Sequence, residues 1–269
     1  MSDERSRRAR TPTDPAATAQ PVPGPPNLGP RVQSRWLAMR DGVRIALDVI
    51  LPAGAQPDRS LPTVMIMTRY WRSFRLRTPG PRGRPPMGPD VALVEALLGG
   101  GFAVVVADAR GTGASDGAWA HPWSTAEVED FGEVADWVPS QPWSNGHVGA
   151  AGLSYGGTTA MLLGATGRAQ VRAVVASNME YDLFTGAVAP GGVRNRAFLR
   201  AWSDAVRLLD RDRPPPFFGT LGRLLVAGVR PVDEDARRIG LRRIVAVRRN
   251  PSVEASLAVV VARDDPYGG

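Results

Sequence analysis

The chain has 269 residues, of which 43% are hydrophobic, so it can hold one large α/β domain or a domain with an insertion. It contains no cysteine, which excludes disulfides, thiolate metal sites and cysteine nucleophiles and agrees with a reducing compartment. Its net charge of +7 comes from 33 basic residues that are all arginine, and because they are spread along the chain without a nucleic-acid-binding motif, we predict no nucleic-acid partner.

The chain begins with a polar, basic and Pro-rich segment, residues 1–30. This segment lacks the apolar stretch of a secretion signal, so it is expected to be a disordered tail. Further along, the sequence has no run of about 18 uncharged apolar residues that could cross a membrane. We therefore predict a cytoplasmic protein that has no membrane partner.

The next part of the chain has the pattern of strands followed by a loop. Strand-like runs predict strands over residues 31–40 and 43–51, and the continuous apolar run 62–68 predicts a third, buried strand. Asp41-Gly42, between the first two runs, is a residue pair typical of a tight hairpin turn. Segment 72–89 is rich in Arg, Pro and Gly, so we expect it to form a loop.

Helices and strands then alternate up to residue 177. We predict helices over residues 91–98, 124–139 and 156–165, and strands over residues 102–107, 147–153 and 171–176. Asp90 is expected to cap the first of these helices, and Ser124 and Glu127 have the spacing of a capping box at the second. This alternation predicts that residues 31–177 form a mostly parallel sheet with helices on both faces.

The character of the sequence changes after residue 177. Segment 178–251 contains Arg-rich amphipathic stretches, which predict a helical cap inserted over the sheet. Segment 252–269 is too short to complete another βα pair, so we interpret it as a truncated return segment. The sheet is therefore expected to be incomplete on its C-terminal side.

One short motif, Gly152-Leu153-Ser154-Tyr155-Gly156, ends an apolar strand pattern and begins a helix of small residues. G-x-S-x-G between a strand and a helix is typical of a sharp turn that exposes a nucleophilic serine. We therefore predict Ser154 as a nucleophile, the alternative being a structural serine in a tight turn. The backbone N–H of Tyr155 would then donate to the oxyanion.

The two histidines, His121 and His147, both precede Ser154. In α/β-hydrolases the catalytic base follows the nucleophile along the chain, so the expected base is missing from these residues. His147 begins the strand that ends at Ser154, about 20 Å away at the usual rise per residue, and His121 is expected on a loop. We predict no metal site, because the chain has no cysteine and its two histidines are far apart in sequence. We predict no cofactor, because the Gly-rich run 111–117 lacks dinucleotide-binding spacing.

Three motifs in order allow a family to be named. They are 108–117 (DARGTGASDG), 141–146 (QPWSNG) and 152–157 (GLSYGG). Together they resemble the cocaine esterase and Xaa-Pro dipeptidyl-peptidase family of α/β-hydrolases, also called the CocE/NonD type. The resemblance covers residues 31–190 well and corresponds to the N-terminal part of such enzymes.

The resemblance implies a Ser-Asp-His triad, a helical cap and a C-terminal jelly-roll domain in enzymes that cleave esters or Xaa-Pro peptides. It implies that Tyr70, after the third strand, donates its hydroxyl to the oxyanion, the alternative being a tyrosine that is simply packed there. Asp108 and Arg110 are expected to form structural ion pairs near the serine. No triad acid is assigned among the carboxylates after Ser154, which include Asp182, Asp204, Asp264 and Asp265.

These observations lead to one functional prediction and two alternatives. We predict the N-terminal part of a serine hydrolase that acts on a small-molecule ester or peptide and is inactive without its triad Asp and His. One alternative is a non-catalytic binding protein on a hydrolase scaffold. The other is a binder of nucleic acid or an anionic surface through the basic N-terminal arm.

Overall fold

A computed structural model describes residues 29–55, 61–78 and 84–264, with only the backbone for residues 259–264. The predicted disordered tail therefore lies almost entirely outside the described residues, as do residues 265–269 with Asp265. None of the helices in the described ranges is long and apolar enough to cross a membrane.

Up to β7, and apart from the short strand β4, the described elements follow the predicted order of strands and helices. The strands are β1 Arg31–Ala38, β2 Arg44–Leu51, β3 Leu61–Thr68, β4 Phe74–Leu76, β5 Ala103–Asp108, β6 Ser144–Leu153, β7 Val171–Ser177 and β8 Val226–Val229. The α-helices are α1 Val91–Gly99, α2 Thr125–Trp137, α3 Tyr155–Ala165, α4 Arg196–Asp210, α5 Gly219–Leu225, α6 Ile239–Val247 and α7 Val253–Asp264.

The main sheet has six strands in the order β1-β2-β5-β3-β6-β7. The first two form an antiparallel hairpin that turns at Asp41-Gly42, where Gly42 has a φ of 82° that favours glycine. Strand β2 is antiparallel to β5, whereas β5, β3, β6 and β7 run parallel. This mostly parallel mixed sheet is the predicted α/β fold class.

Helices cover both faces of the sheet. Successive side chains of a strand point to opposite faces, so a buried apolar strand needs apolar partners on each side. Ile66 of β3 packs in one apolar cluster with Val94 of α1. Its neighbour Met65 packs on the other face in a cluster with Phe131 of α2 and Leu163 of α3. Continuous apolar runs in the inner strands are explained by burial on both faces.

Two predicted helix caps have different outcomes. The Ser124 hydroxyl accepts a hydrogen bond from the Glu127 N–H at 3.3 Å, as the capping-box spacing predicts. The Glu127 side chain does not complete the box, because it is buried and bonded to another helix. Asp90 occupies the N-cap position of α1 as predicted, but its side chain makes no capping hydrogen bond to the helix.

The cap and the loop before α1 also depart from the predictions. Segment 178–251 contains helices α4, α5 and α6, but it also contributes strand β8, which pairs antiparallel with β4. Strand β4 lies inside segment 72–89, which was expected to be a loop. Strands of three and four residues are too short to show a periodic pattern, so only their pairing identifies them.

The last described element is helix α7, within segment 252–264. Its Val253 and Leu257 are buried with Leu199 and Val206 of α4 in one apolar cluster. The cluster also includes Trp119, which precedes α2. The described end of the chain therefore packs on α4.

Candidate active site

Ser154 lies alone between β6 and α3, on a strained turn at the carboxyl end of the parallel strands. Its φ of 55° and ψ of −118° are uncommon for a residue with a side chain, and such strain occurs at functional sites. Its N–H donates to the Ser177 carbonyl at 2.9 Å, which ties the turn to the end of β7. The Ser154 side chain is exposed, so the turn has the geometry of a nucleophile elbow.

Two glycines, one in the motif and one directly after it, make this turn possible. A Cβ atom on Gly152 would collide with the backbone of Gly156, so the strand and the helix can approach closely only without a side chain there. A Cβ atom on Gly157, the residue after the motif, would come within 2.6 Å of the Ser177 carbonyl oxygen. Gly152 and Gly157 are therefore packing requirements, whereas a Cβ atom on Gly156 would meet only the Met67 carbonyl oxygen at 3.4 Å.

Tyr155 follows the serine and is the first residue of α3. A helix leaves its first N–H groups without a partner inside the helix, so the Tyr155 N–H is available at this turn. The Tyr155 side chain points away into the core and is almost completely buried. Burial, followed by the neighbouring charge of Glu127, raises its pKa well above the ordinary value.

Four residues hold Tyr155, and we call them the tyrosine clamp: Trp119, Trp123, Glu127 and Thr159. The Tyr155 hydroxyl lies 2.6 Å from the Glu127 carboxylate and 3.2 Å from the Trp119 indole nitrogen. The Tyr155 carbonyl accepts from the Trp123 indole at 3.2 Å and from the Thr159 hydroxyl at 2.9 Å. The Trp123 ring also stacks on the tyrosine ring at 4.6 Å.

Tyr70 follows β3 and reaches the same region. Its ring packs edge-on against the Tyr155 ring, with 5.7 Å between the ring centroids. Burial raises the pKa of the Tyr70 hydroxyl to about 12, so the group keeps its proton near neutral pH and can donate a hydrogen bond. Its backbone is fixed on one side by the Thr68 hydroxyl, which accepts from the Tyr70 N–H at 3.0 Å.

A cavity of about 850 Å³ opens above the serine and is lined by Ser154, Tyr155 and Tyr70 together. Its opposite wall comes from the cap, where α4 contributes Phe198 and Trp202. The lining is mainly apolar, as in many small-molecule sites. It also includes three carboxylate residues, which are Asp90, Glu180 and Asp204.

The two histidines are not part of this cavity. In the described structure, neither His121 nor His147 belongs to its lining. The His121 ring contacts the carbonyl of the following Pro122, and His147 is exposed near the start of β6. The part of the chain that the structure describes also contains no group of three or more His, Cys, Asp or Glu that could hold a metal ion.

The aspartates that follow Ser154 in the sequence lie in different environments. Asp182 is exposed and accepts from Thr185 and from the Phe184 N–H. Asp204 lines the cavity but also pairs with Arg207 on the same helix. The backbone of Asp264 ends α7, and Asp265 lies outside the described residues. Neither Asp182 nor Asp204 has a histidine partner among the described residues.

Asp108 and Arg110 form the buried polar contacts that the sequence predicted. The Asp108 carboxylate accepts from the Arg72 guanidinium at 2.8 Å and from the Ala114 N–H at 2.9 Å. The Arg110 guanidinium makes two hydrogen bonds with the Asp130 carboxylate, at 2.6 and 2.7 Å. These bonds fix the turn that follows β5.

Sequence reasoning missed the tyrosine clamp and the wall formed by α4. Glu127 matched a capping box, and this signal concealed its second contact with Tyr155. Phe198 and Trp202 lie in an amphipathic helix, and that pattern indicates a covered face without saying what it covers. The only earlier hint was the pair of tryptophans that precede α2, at 119 and 123.

The chain is similar in sequence to a known family and to several known proteins. The model of the X-Pro dipeptidyl-peptidase (S15) family matches residues 41–217. A Mycobacterium bovis protein that is named as a serine esterase is 38% identical over 253 residues, or 90% of this chain and 40% of that protein. The cocaine esterase of a Rhodococcus strain is 30% identical over 169 residues, or 61% of this chain and 26% of that enzyme. The chain thus spans less than half the length of these curated relatives.

Solved structures share the fold at lower sequence identity. An α-amino acid ester hydrolase has a TM-score of 0.53 and 24% identity, covering 82% of this chain and 35% of that one. A CocE/NonD family hydrolase from Staphylococcus aureus has a TM-score of 0.52 and 24% identity, covering 65% of this chain and 32% of that one. The sheet and its covering helices therefore have the α/β-hydrolase arrangement.

Proposed function

This chain belongs to the X-Pro dipeptidyl-peptidase (S15) family, and we propose that Ser154 is the nucleophile of a serine hydrolase built on it. The observation that carries the proposal is the exposed Ser154 side chain on a strained turn that faces a cavity of about 850 Å³. Such strain is maintained only where the surrounding structure imposes it, and here two glycines and the end of β7 do so.

The proposed reaction is acyl transfer from an ester or a peptide bond to water. The Ser154 oxygen attacks the carbonyl carbon while a base takes the hydroxyl proton, and the carbonyl oxygen becomes an oxyanion. The Tyr155 N–H and the Tyr70 hydroxyl are the proposed donors to that oxyanion. The oxyanion then collapses back to a carbonyl, the bond between the acyl carbon and the leaving group breaks, and the base gives its proton to the leaving group. Water hydrolyses the resulting acyl-serine by the same steps, which frees the acid and restores the Ser154 hydroxyl.

The base is the part that these residues do not supply. Neither histidine lines the cavity in the described structure, and the chain spans only 40% of the length of its Mycobacterium relative. We propose that the triad Asp and His belong to sequence outside these 269 residues. By itself, the chain is then expected to hydrolyse esters very slowly, with a residual rate that comes from the oxyanion donors.

The lining of the cavity favours a class of small-molecule substrate. Phe198 and Trp202 present apolar surface to the acyl group. Asp90, Glu180 and Asp204 add negative charge, which favours an ester or peptide that carries a positive charge, such as a free amino group. An aryl ester with an α-amino group should therefore react faster than the same ester without it.

Labelling with a fluorophosphonate probe tests the nucleophile. Wild-type chain should become labelled on Ser154, and Ser154→Ala should not. Ser140→Ala should label like wild type, because Ser140 is exposed and does not line the cavity. Added imidazole should speed Ser154-dependent labelling and ester hydrolysis, since it replaces the absent base. Equal labelling of wild type and Ser154→Ala would refute the proposal.

A non-catalytic binding protein is the second candidate function, and the position of the histidines favours it. In that case the cavity would still bind small apolar esters, but Ser154 would not react even with imidazole. Binding of a non-hydrolysable ester analogue without any labelling would therefore support this alternative.

A further inference from the structure

We propose that Glu127 is a positioning residue for the oxyanion donor, acting through the hydroxyl group of Tyr155. This inference rests on the proposed function, because it assigns a task to a residue behind the serine. Glu127 itself does not line the cavity, so it does not contact the substrate. Its effect would reach the reaction only through the Tyr155 peptide.

The hydrogen-bond pattern defines the direction of the contact. The Tyr155 hydroxyl has one proton, and the Trp119 indole N–H can only donate, so the hydroxyl accepts from Trp119 and donates to Glu127. The distance to the Glu127 carboxyl group is 2.6 Å, which is at the short end of the range for O–H···O hydrogen bonds. Glu127 is therefore the acceptor that fixes the far end of the tyrosine side chain.

The other members of the tyrosine clamp hold the near end. Trp123 and Thr159 bond the Tyr155 carbonyl, and the Trp123 ring stacks on the tyrosine ring. With the ring and the carbonyl both fixed, the Tyr155 N–H has little freedom to rotate at the start of α3. An oxyanion donor needs this accuracy, because it must point at an atom that carries charge only in the transition state.

Burial of an acid here is unfavourable for stability, which argues for a task beyond packing. Glu127 is completely buried, and its second carboxylate oxygen has no hydrogen-bond partner among the described residues. An apolar side chain of similar size would avoid that desolvation penalty. The buried Arg69 guanidinium, which lies 4.3 Å from the Trp119 ring, supplies a compensating positive charge.

Four variants of the full 269-residue chain test the inference, with imidazole supplied as the base. They are Tyr155→Phe, Glu127→Leu, their double variant, and Glu127→Gln. The first two should each slow fluorophosphonate labelling of Ser154 roughly tenfold, and the double variant should be no slower than either, because one contact is lost in all three. Glu127→Gln keeps an acceptor oxygen and should recover most of the rate lost in Glu127→Leu.

A second readout does not depend on the reactivity of Ser154. Hydrogen–deuterium exchange of the peptide spanning residues 152–158 should be faster in Tyr155→Phe and Glu127→Leu than in wild type. Glu133→Gln is the matched control, because Glu133 lies on the same helix but pairs with Arg40 on the surface. It should change neither readout.

The outcomes separate the two proposals. If wild type becomes labelled, and Tyr155→Phe shows the same labelling rate and the same hydrogen–deuterium exchange as wild type, the role of Glu127 is overturned. Ser154 would still be the nucleophile in that case. Absence of labelling in wild type, with faster exchange in Tyr155→Phe, would refute the nucleophile and support the fixed Tyr155 peptide. Additive losses in the double variant would show that Glu127 does not act through Tyr155.

Discussion

Among the single residues of the site, Glu127 shows how strongly the fold changes an acid. Burial raises the pKa of its carboxyl to about 7, compared with 4.5 ordinarily. The Tyr155 hydroxyl, Arg69 and the Trp123 backbone oppose this shift from neighbouring elements, whereas Asp130 on the same helix adds to it. Glu127 is therefore a group that titrates near neutral pH directly behind the serine.

This raised pKa gives a prediction about stability and pH. The folded chain holds the Glu127 proton more tightly than the unfolded chain, so the wild type should lose free energy of unfolding as the pH rises from about 5 to about 8. Glu127→Gln cannot ionise, so it should lack this loss, which is on the order of 2 kcal/mol. Urea unfolding of both proteins across that range measures the difference, and parallel curves would contradict the prediction.

The glycine at the start of the motif gives a second prediction at the residue scale. Gly152→Ala should destabilise the chain by about 1–3 kcal/mol or more, because the new Cβ atom would meet the Gly156 backbone. It should also abolish labelling of Ser154. Gly149→Ala on the same strand is the control, since its Cβ atom would find no contact closer than 3.7 Å. Denaturation and labelling of the two variants make the comparison.

At the scale of elements, a buried ion-pair network joins the hairpin to the strands that carry the site. Arg72, after β3, bonds Asp48 of β2 at 3.1 Å and Asp108 of β5 at 2.8 Å. All three side chains are buried. The network therefore fixes the segment after β3, which carries Tyr70, against two strands at once.

Removing the shared cation should be costly. Arg72→Met would leave the buried Asp108 carboxylate without its cation and Asp48 with only Arg230, at 3.8 Å, so we expect a loss of about 3–5 kcal/mol in the free energy of unfolding. The loss should shrink at acidic pH, where both carboxylates can take up protons. Arg194→Met is the control, because Arg194 pairs with Glu254 on the surface. This substitution should lower the free energy of unfolding by less than about 1 kcal/mol. Equal losses of unfolding free energy in Arg72→Met and Arg194→Met would contradict a structural role of the buried network.

At the scale of the whole molecule, the cap and the sheet share a core. One buried cluster contains Ala46 of β2, Trp71 after β3, Leu209 of α4, Val229 of β8 and Leu241 of α6. The Trp71 indole also donates to the Leu209 carbonyl at 3.2 Å. Because apolar contacts join the two parts, we expect them to unfold together.

A substitution in the cap tests this coupling. Leu241→Ala should lower the free energy of unfolding by about 2–5 kcal/mol, because Leu241 is 1% exposed and its loss leaves a cavity. The transition should remain single and coincide by circular dichroism and tryptophan fluorescence. Leu221→Ala, at a site that is 68% exposed, should have little effect. A separate early transition for the cap would contradict the shared core.

Much of this architecture could be predicted from local patterns. Apolar runs marked β3, β5, β6 and β7, and the 3.6-residue period marked α2, because each signal lies within one element. The motif around Ser154 identified the turn for the same reason. Asp90 marked the N-cap position of α1 but not a capping bond, since a suitable residue type at a helix start does not ensure the hydrogen bond.

By itself, the sequence determined the order of the elements, the family resemblance and the turn at Ser154, since adjacent residues specify these through spacing and backbone freedom. Only the tertiary structure decided which distant groups meet. It brought Glu127 to the hydroxyl of Tyr155, 28 positions away, paired β4 with β8, and closed the cavity with α4. The physical reason is that hydrogen bonds and apolar contacts between distant segments depend on how the helices pack on the sheet, and no local pattern encodes that packing.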